Sequence, residues 1–337
     1  MRTLITPLLF ITVLISACAS HPVTDRPDWI DVGSKRYPAE LYLSGQGSAD
    51  TLDDAKDRAR ADLAKQFEVA IDEHGRQEQQ YRKKQKGEES RESLQQSVSR
   101  QLITRTTRTV QGIEIADNWQ DEATHKYYTL AVLSKQKARQ QFTQQIDGLD
   151  QQTLQRLKQA EDEKDALRKT ALIQQAIDIQ QQRTAVQSAL QVVDASGRGI
   201  PAKYSLGELL RTRDTLIGRI ALAPATEGIM AQRLQPLLSG NTATAGFKVA
   251  EAGQSDYDLV AEAKLEPPLK EKGWIWLRGT LQLTLRDSSG NEIGVKRWPL
   301  KAASITQEQT EQRLLDDVDS ILKNELRGAV LGFAKVE

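Results

Sequence analysis

The chain has 337 residues, more than one hydrophobic core comfortably serves, so two domains are expected. Lys plus Arg and Asp plus Glu each number 46, which leaves no global field to attract nucleic acid or an acidic surface. Hydrophobic residues make up 39% and aromatics 5%, a balance that suits a helix-rich chain with modest cores and argues against several membrane spans. The lone cysteine, Cys18, cannot close an internal disulfide, and His21, His74 and His125 are too scattered for a metal site.

Met1 and Arg2 give a positive start, Leu4 to Ile15 is mostly apolar, and Ser16 and Ala17 are small. That order is the order of a secretory leader. A spanning helix needs about 20 apolar residues, whereas this run is shorter and carries Pro7. The alternative is a buried first strand or helix with a core cysteine. Ile15-Ser16-Ala17-Cys18 resembles a bacterial lipobox. The resemblance implies cleavage between Ala17 and Cys18, a diacylglyceryl group on the Cys18 sulfur and an acyl chain on the new amine. With Ala rather than Asp at 19, it also implies export to the outer membrane. Each buried methylene contributes about 0.8 kcal/mol and one acyl chain binds only marginally, so three chains make release negligible. Residues 1–17 then read as a signal peptide. Residues 18–26 read as a lipidated tether, whose eight residues after Cys18 span at most about 26 Å.

Regular structure is expected from Pro27-Asp-Trp29-Ile30. Leu41 and Leu43 alternate as in a strand, Gly45 and Gly47 mark a turn, and Thr51 with Asp54 has capping-box spacing. Leu52, Ala55, Ala59, Leu63, Phe67 and Ile71 form one helical stripe, ended by Gly75. Residues 76–93 are polar, a solvated loop or frayed helix. Leu94, Val98, Leu102, Thr106 and Val110 fit a second helix. Ile113 and Ile115, then Tyr128, Leu130 and Val132, fit a hairpin lying across those helices. From Ser134 the composition shifts to Gln, Ala, Leu and charged residues, with no Gly or Pro between Gly148 and Gly197. Stripes at Phe142, Ile146, Leu149, Leu157 and Ala160 and at Leu167, Leu172, Ala176, Ile179 and Leu190 predict a helical hairpin bending near Glu161 to Asp165.

The segment 196–201, Ser-Gly-Arg-Gly-Ile-Pro, marks a boundary. Beyond it a strand (Leu216 to Ala223), a helix (Glu227 to Leu238), several strands and a last helix (Leu314 to Phe333) predict an antiparallel sheet covered by that helix. Tyr257, Leu259, Ala261, Ala263 and Leu265 share one strand face, as do Ile275, Leu277, Leu281, Leu283 and Leu285 on the next. The fold class is α+β: two small α/β sandwich-like domains, 27–134 and 200–337, joined by a helical hairpin spacer, 135–195, after a lipoprotein signal peptide.

Few residues point to chemistry. Gly45-Gln-Gly47 lacks the third glycine of a dinucleotide loop, and Asp50 at that position would repel a pyrophosphate, so a tight turn is the better reading. Acylation would remove Cys18 from the possible nucleophiles, and His125 reads as an exposed turn residue beside two tyrosines. No catalytic residues, metal or cofactor are expected, apart from the covalent acyl groups on Cys18. The basic run Arg82, Lys83, Lys84 and Lys86 is a solvated segment or a contact to an anionic partner such as lipopolysaccharide phosphate. Trp274 and Trp276 alternate with Ile275 and Leu277, so they face away from the core with Arg278. They mark a protein or glycan contact, or pack beneath a helix or the first domain.

Arg26-Pro-Asp-Trp-Ile30, the run from Leu41 to Ile71, Trp119 before Tyr127-Tyr-Thr-Leu-Ala-Val-Leu133, and the lipobox together resemble the Lpp-twenty-type family of bacterial outer-membrane lipoproteins, which includes the flagellar basal-body lipoprotein P. The resemblance covers about residues 27–142 and implies a small α/β module, an envelope location and a structural or assembly role. More weakly, 216–337 is similar to the periplasmic domain of lipoproteins that activate cell-wall synthases. The expected function is a non-enzymatic docking or assembly factor, lipid-anchored in the outer membrane and facing the periplasm. The alternatives are a regulator of a peptidoglycan synthase and a flagellar basal-body component. Expected partners are the outer membrane, an envelope protein or a second copy of the chain, and no nucleic acid.

Overall fold

The structure, a computed structural model, describes residues 26–86 and 112–334, with side chains from 26–70 and 112–334. The leader, Ala17, Cys18, the tether before Arg26 and the helix expected at Leu94 to Val110 lie outside the described residues.

The first module begins with a 3₁₀ turn, Asp28–Ile30, followed by β1 (Tyr42–Ala49), α1 (Leu52–Lys86), β2 (Glu114–Gln120) and β3 (Tyr127–Ser134). The strands form an antiparallel sheet in the order β1-β3-β2. As the central strand, β3 is buried on both faces. Ala131 and Leu133 meet Ala59, Leu63 and Phe67 of α1, while Leu130 and Val132 meet Trp29. The Trp29 indole N–H donates to Asp117 Oδ2 at 2.8 Å, fastening the start of the module to β2.

Gly45 and Gly47 are not turn residues. Both lie within β1, and neither has a positive φ. They are glycine because α1 crosses β1 at backbone distance: a Cβ on Gly45 would sit 2.5 Å from the Ala59 carbonyl oxygen and the Leu63 nitrogen, and one on Gly47 would overlap Ala55 and Ala59. The Thr51–Asp54 cap forms, with Asp54 N donating to Thr51 Oγ1 at 3.2 Å. Gly75 does not end α1, which continues to Lys86. One interior glycine costs about 1 kcal/mol, and the Arg, Gln, Glu and Lys that follow are strong helix formers. The segment expected as a loop or frayed helix is therefore helical at least as far as Lys86.

A helical hairpin follows: α2 (Lys135–Asp162), a turn at residues 163–165, and α3 (Ala166–Val193). Its open end belongs to the first core, where Ala138, Phe142 and Ile146 of α2 and Val186, Ala189, Leu190 and Val193 of α3 join the α1 cluster. Phe142 meets Phe67 edge-on at 6.0 Å. The tip end contributes Leu167 and Ala171 to the second core. Between them, Leu172, Ile173, Ala176 and Ile177 pack under Leu209 of α4 (Leu206–Ile217). One helix thus enters both cores, about 28 Å apart along its axis from Leu167 to Val186. The apolar positions of α3 spread around it because it is covered on several sides, a pattern a single stripe does not describe.

At Leu216, where a strand is expected, α4 is still finishing; this helix is capped at its start by Ser205, whose Oγ accepts from Glu208 N at 3.3 Å. The strand β4 (Ala221–Glu227) follows, then α5 (Ala231–Thr244), β5 (Lys248–Val249), β6 (Tyr257–Leu265), β7 (Leu269–Glu271), β8 (Trp274–Asp287), β9 (Glu292–Ser304) and α6 (Gln307–Phe333). The helix expected from Glu227 starts only after that residue has completed β4. The sheet is mixed rather than antiparallel: β4 runs parallel to both β5 and β6, because α5 supplies the crossover that parallel neighbours require. The long β8 carries β6 and then β7 on one side and β9 on the other. Leu314, Val318, Leu322, Leu326 and Val330 of α6 cover Leu277, Leu281, Leu283, Leu285 and Leu300.

Candidate docking surface

Trp274 and Trp276 stand at the free end of β8. The last residue pair between β6 and β8 is Leu265 with Gly279, so the five residues before Gly279 extend past β6. There β8 pairs with β7, Leu269 opposite Trp276 and Glu271 opposite Trp274, and on its other side with β9. The turn between β7 and β8 is only Lys272 and Gly273, with φ of 50° and 79°. Positive φ at both central residues matches a type I′ turn, which suits the strand twist and selects Asn and Gly. Gly273 fits that rule, whereas Lys272 bears the cost of a left-handed side chain, about 1–2 kcal/mol.

Directly paired residues point to one face of a sheet. Leu269, Trp274, Trp276, Arg278, Lys301 and Ala303 therefore share a face, opposite the one on which Leu277 meets α6. Trp274 is 44% exposed and Leu269 50% exposed. Trp276 is half-buried, with Lys301 Nζ 5.1 Å and Arg278 Cζ 6.0 Å from its ring centre. Both distances lie within cation–π reach. Two acids stand there: Glu271, opposite Trp274, and Glu266, whose N donates to the Arg278 carbonyl at 2.9 Å. Sequence alternation had placed Arg278 beside the tryptophans. Leu269 and Lys301 come from other strands, and their register was not visible in local periodicity.

A concavity of about 400 Å³ lies where β4, β5 and β6 run parallel, and its lining includes Glu227, Ser239, Glu251, Asp258 and Arg286. Three of the four charged side chains named there are already engaged: Arg286 Nη1 donates to Glu227 at 3.1 Å, and Asp258 accepts from Ser255 Oγ at 3.1 Å. Among the described residues no three metal-binding side chains converge, and no helix is long and apolar enough to cross a membrane. His125 is an exposed turn residue with φ of 57°. Arg82 to Lys86 lie at the end of α1.

No curated protein matches the chain significantly. Among solved structures, a secreted protein of Helicobacter pylori is similar at 12% identity over 84% of this chain and 96% of that one, with a TM-score of 0.45. A minor lipoprotein of Acinetobacter baumannii is similar at 18% identity over 32% of this chain and 92% of that one, with a TM-score of 0.26. A lipoprotein of Neisseria meningitidis is similar at 10% identity over 30% and 96%, with a TM-score of 0.22. The family model described as LPP20 lipoprotein matches residues 27–134. That match supports a lipoprotein of the cell envelope. The first module of this chain, from Trp29 and β1 to β3, thus matches the LPP20 lipoprotein family, in agreement with the resemblance carried by its Tyr42-to-Ser48 and Trp119-to-Leu133 motifs.

Proposed function

We propose that the protein is an outer-membrane lipoprotein held by acyl chains on Cys18, with Ala17 as the last leader residue. Its periplasmic body acts without catalysis as a docking or assembly factor. The observation that carries this reading is the LPP20 lipoprotein match beginning at residue 27, nine residues after the cysteine of Ile15-Ser16-Ala17-Cys18. Anchoring confines the body to a thin layer and raises its effective concentration for partners there. The continuity of α3 through both cores suits such a role, because a contact at one module is then held at a set distance from the other. Trp274 and Trp276 are the proposed contact residues.

Metabolic labelling with a fatty-acid probe tests the anchor. The protein should be labelled and should fractionate with the outer membrane, and Cys18→Ala should abolish both. An unlabelled protein, or Cys18→Ala retained in the outer membrane, overturns it. Crosslinking in cells from position 274 then identifies the contact; a recovered cell-wall synthase or flagellar component would place the protein with that machinery.

A further inference from the structure

We propose that the β7–β8 tip is a lipid-docking element: it inserts Trp274 and Leu269 into the headgroup boundary of an anionic phospholipid bilayer, with Lys272, Arg278 and Lys301 set against lipid phosphates. This rests on the reading that Trp274 and Trp276 form a contact face and names the class of surface they contact.

Four observations converge on it. The tip is the end of β8 carried past β6 between β7 and β9, so it offers a point of insertion rather than a cleft that would enclose a peptide or sugar. Its outermost side chains set apolar bodies beside cationic heads, Trp274 and Leu269 half-exposed and Trp276 lying against the opposed pair Arg278 and Lys301. Indole rings and long basic side chains of this kind settle at the membrane–water boundary, the ring at headgroup depth and the cation toward phosphate. The face carries an excess of cations within a chain whose charges balance, with Lys272, Arg278 and Lys301 against Glu271 and Glu266. Finally, Lys272 holds a backbone conformation that Asn or Gly would hold at lower cost. A cation kept at the apex against the preference of the turn is understandable if the cation has something to meet.

Lys272 also separates a docking role from a structural one. Lys272→Asn relieves the turn, so a purely structural residue would leave every property equal or improved. Docking predicts opposite signs: equal or greater thermal stability, and weaker lipid binding. The experiment is co-sedimentation of the whole chain downstream of Cys18, free of acyl groups, with vesicles of phosphatidylethanolamine and phosphatidylglycerol, and in parallel with phosphatidylcholine alone. The expected result is binding to the anionic vesicles only, weakened by salt. Lys272→Asn should reduce it about fivefold, the contribution of one basic residue near such a surface, and Trp274→Ser should reduce it further. Trp274 is exposed enough to be replaced without loss of core, and a circular dichroism melt checks each variant. Failure to sediment, equal binding to phosphatidylcholine, or wild-type binding by both variants overturns the proposal. Trp274-dependent retention on purified cell-wall sacculi without vesicle binding also overturns it, while leaving the contact reading in place. The assay lacks Cys18, so its outcome is separate from that of the anchor.

Discussion

Tyr257 Oη donates to Asp165 Oδ2 at 2.6 Å, across 92 positions of sequence. Asp165 is also the N-cap of α3, its Oδ1 accepting from Arg168 N at 2.7 Å. One carboxylate therefore starts the long helix and fastens the hairpin tip to the first residue of β6. That residue pairs with Asp287, the last residue of β8, so the fastened end of the sheet lies opposite the Trp274 tip, about 43 Å away along β8.

Replacing Tyr257 by Phe should lower stability by about 1.5–3 kcal/mol, the range for a hydrogen bond to a charged group. Burial first, then the Asp165 bond and charge, hold the Tyr257 phenol well above its ordinary value. The folded state thus favours the protonated phenol. That contribution is complete below pH 10 and is lost as pH rises from there through the folded value. Urea denaturation between neutral and strongly alkaline pH should show the loss in wild type, and a smaller one in Tyr257→Phe.

Gly45→Ala or Gly47→Ala should destabilise the first module by several kcal/mol or prevent folding, since the added methyl meets α1 backbone rather than a movable side chain. Gly148→Ala is the matched contrast. It lies within α2 with open space around the new methyl, and should stabilise by about 0.5–1 kcal/mol. Thermal melts of the three variants check both signs.

The outer edge of β1 is capped by one face of α1. Arg58 donates to the Ser48 carbonyl, Asp62 accepts from Gln46 N at 3.0 Å, and Gln66 donates to the Ser44 carbonyl at 2.9 Å. Spaced four apart, the three side chains follow the strand and occupy backbone groups that would otherwise recruit another chain. Replacing all three by Ala should uncover the edge and produce concentration-dependent self-association in light scattering, with secondary structure retained.

Asp150 and Arg183 form an ion pair of 2.8 Å inside the hairpin, both almost fully buried. Arg183 also donates to the carbonyls of Ile200 and Pro201, so the pair ties down the segment leading out of α3. Asp150→Ala should cost about 3–5 kcal/mol, because it strands a buried guanidinium. Replacing both by Leu or Met should recover much of that loss, as a chemical denaturation comparison of single and double variants would reveal.

What was legible in the residue order was local. The Thr51 cap, the α1 stripe from Ala55 to Phe67, the hairpin bend before Asp165 and the outward alternation of Trp274 and Trp276 each follow from spacing within one element. So did the family resemblance over about residues 27–142, which is itself a pattern of short-range motifs. What failed did so where a distant neighbour supplied the reason. Gly45 and Gly47 read as a turn because glycine permits turns, yet they are glycine because α1 lies against β1. The parallel pairing of β4 depends on where α5 carries the chain, and the looseness of the α3 stripe on two separate cores wrapping one helix. Periodicity records which side of an element is buried, but not what buries it. The partnership of Leu269 and Lys301 with Trp276, the fastening of Asp165 by Tyr257 and the capping of β1 by Arg58, Asp62 and Gln66 are matters of register and approach between segments far apart in sequence, and they exist only once the chain has closed on itself.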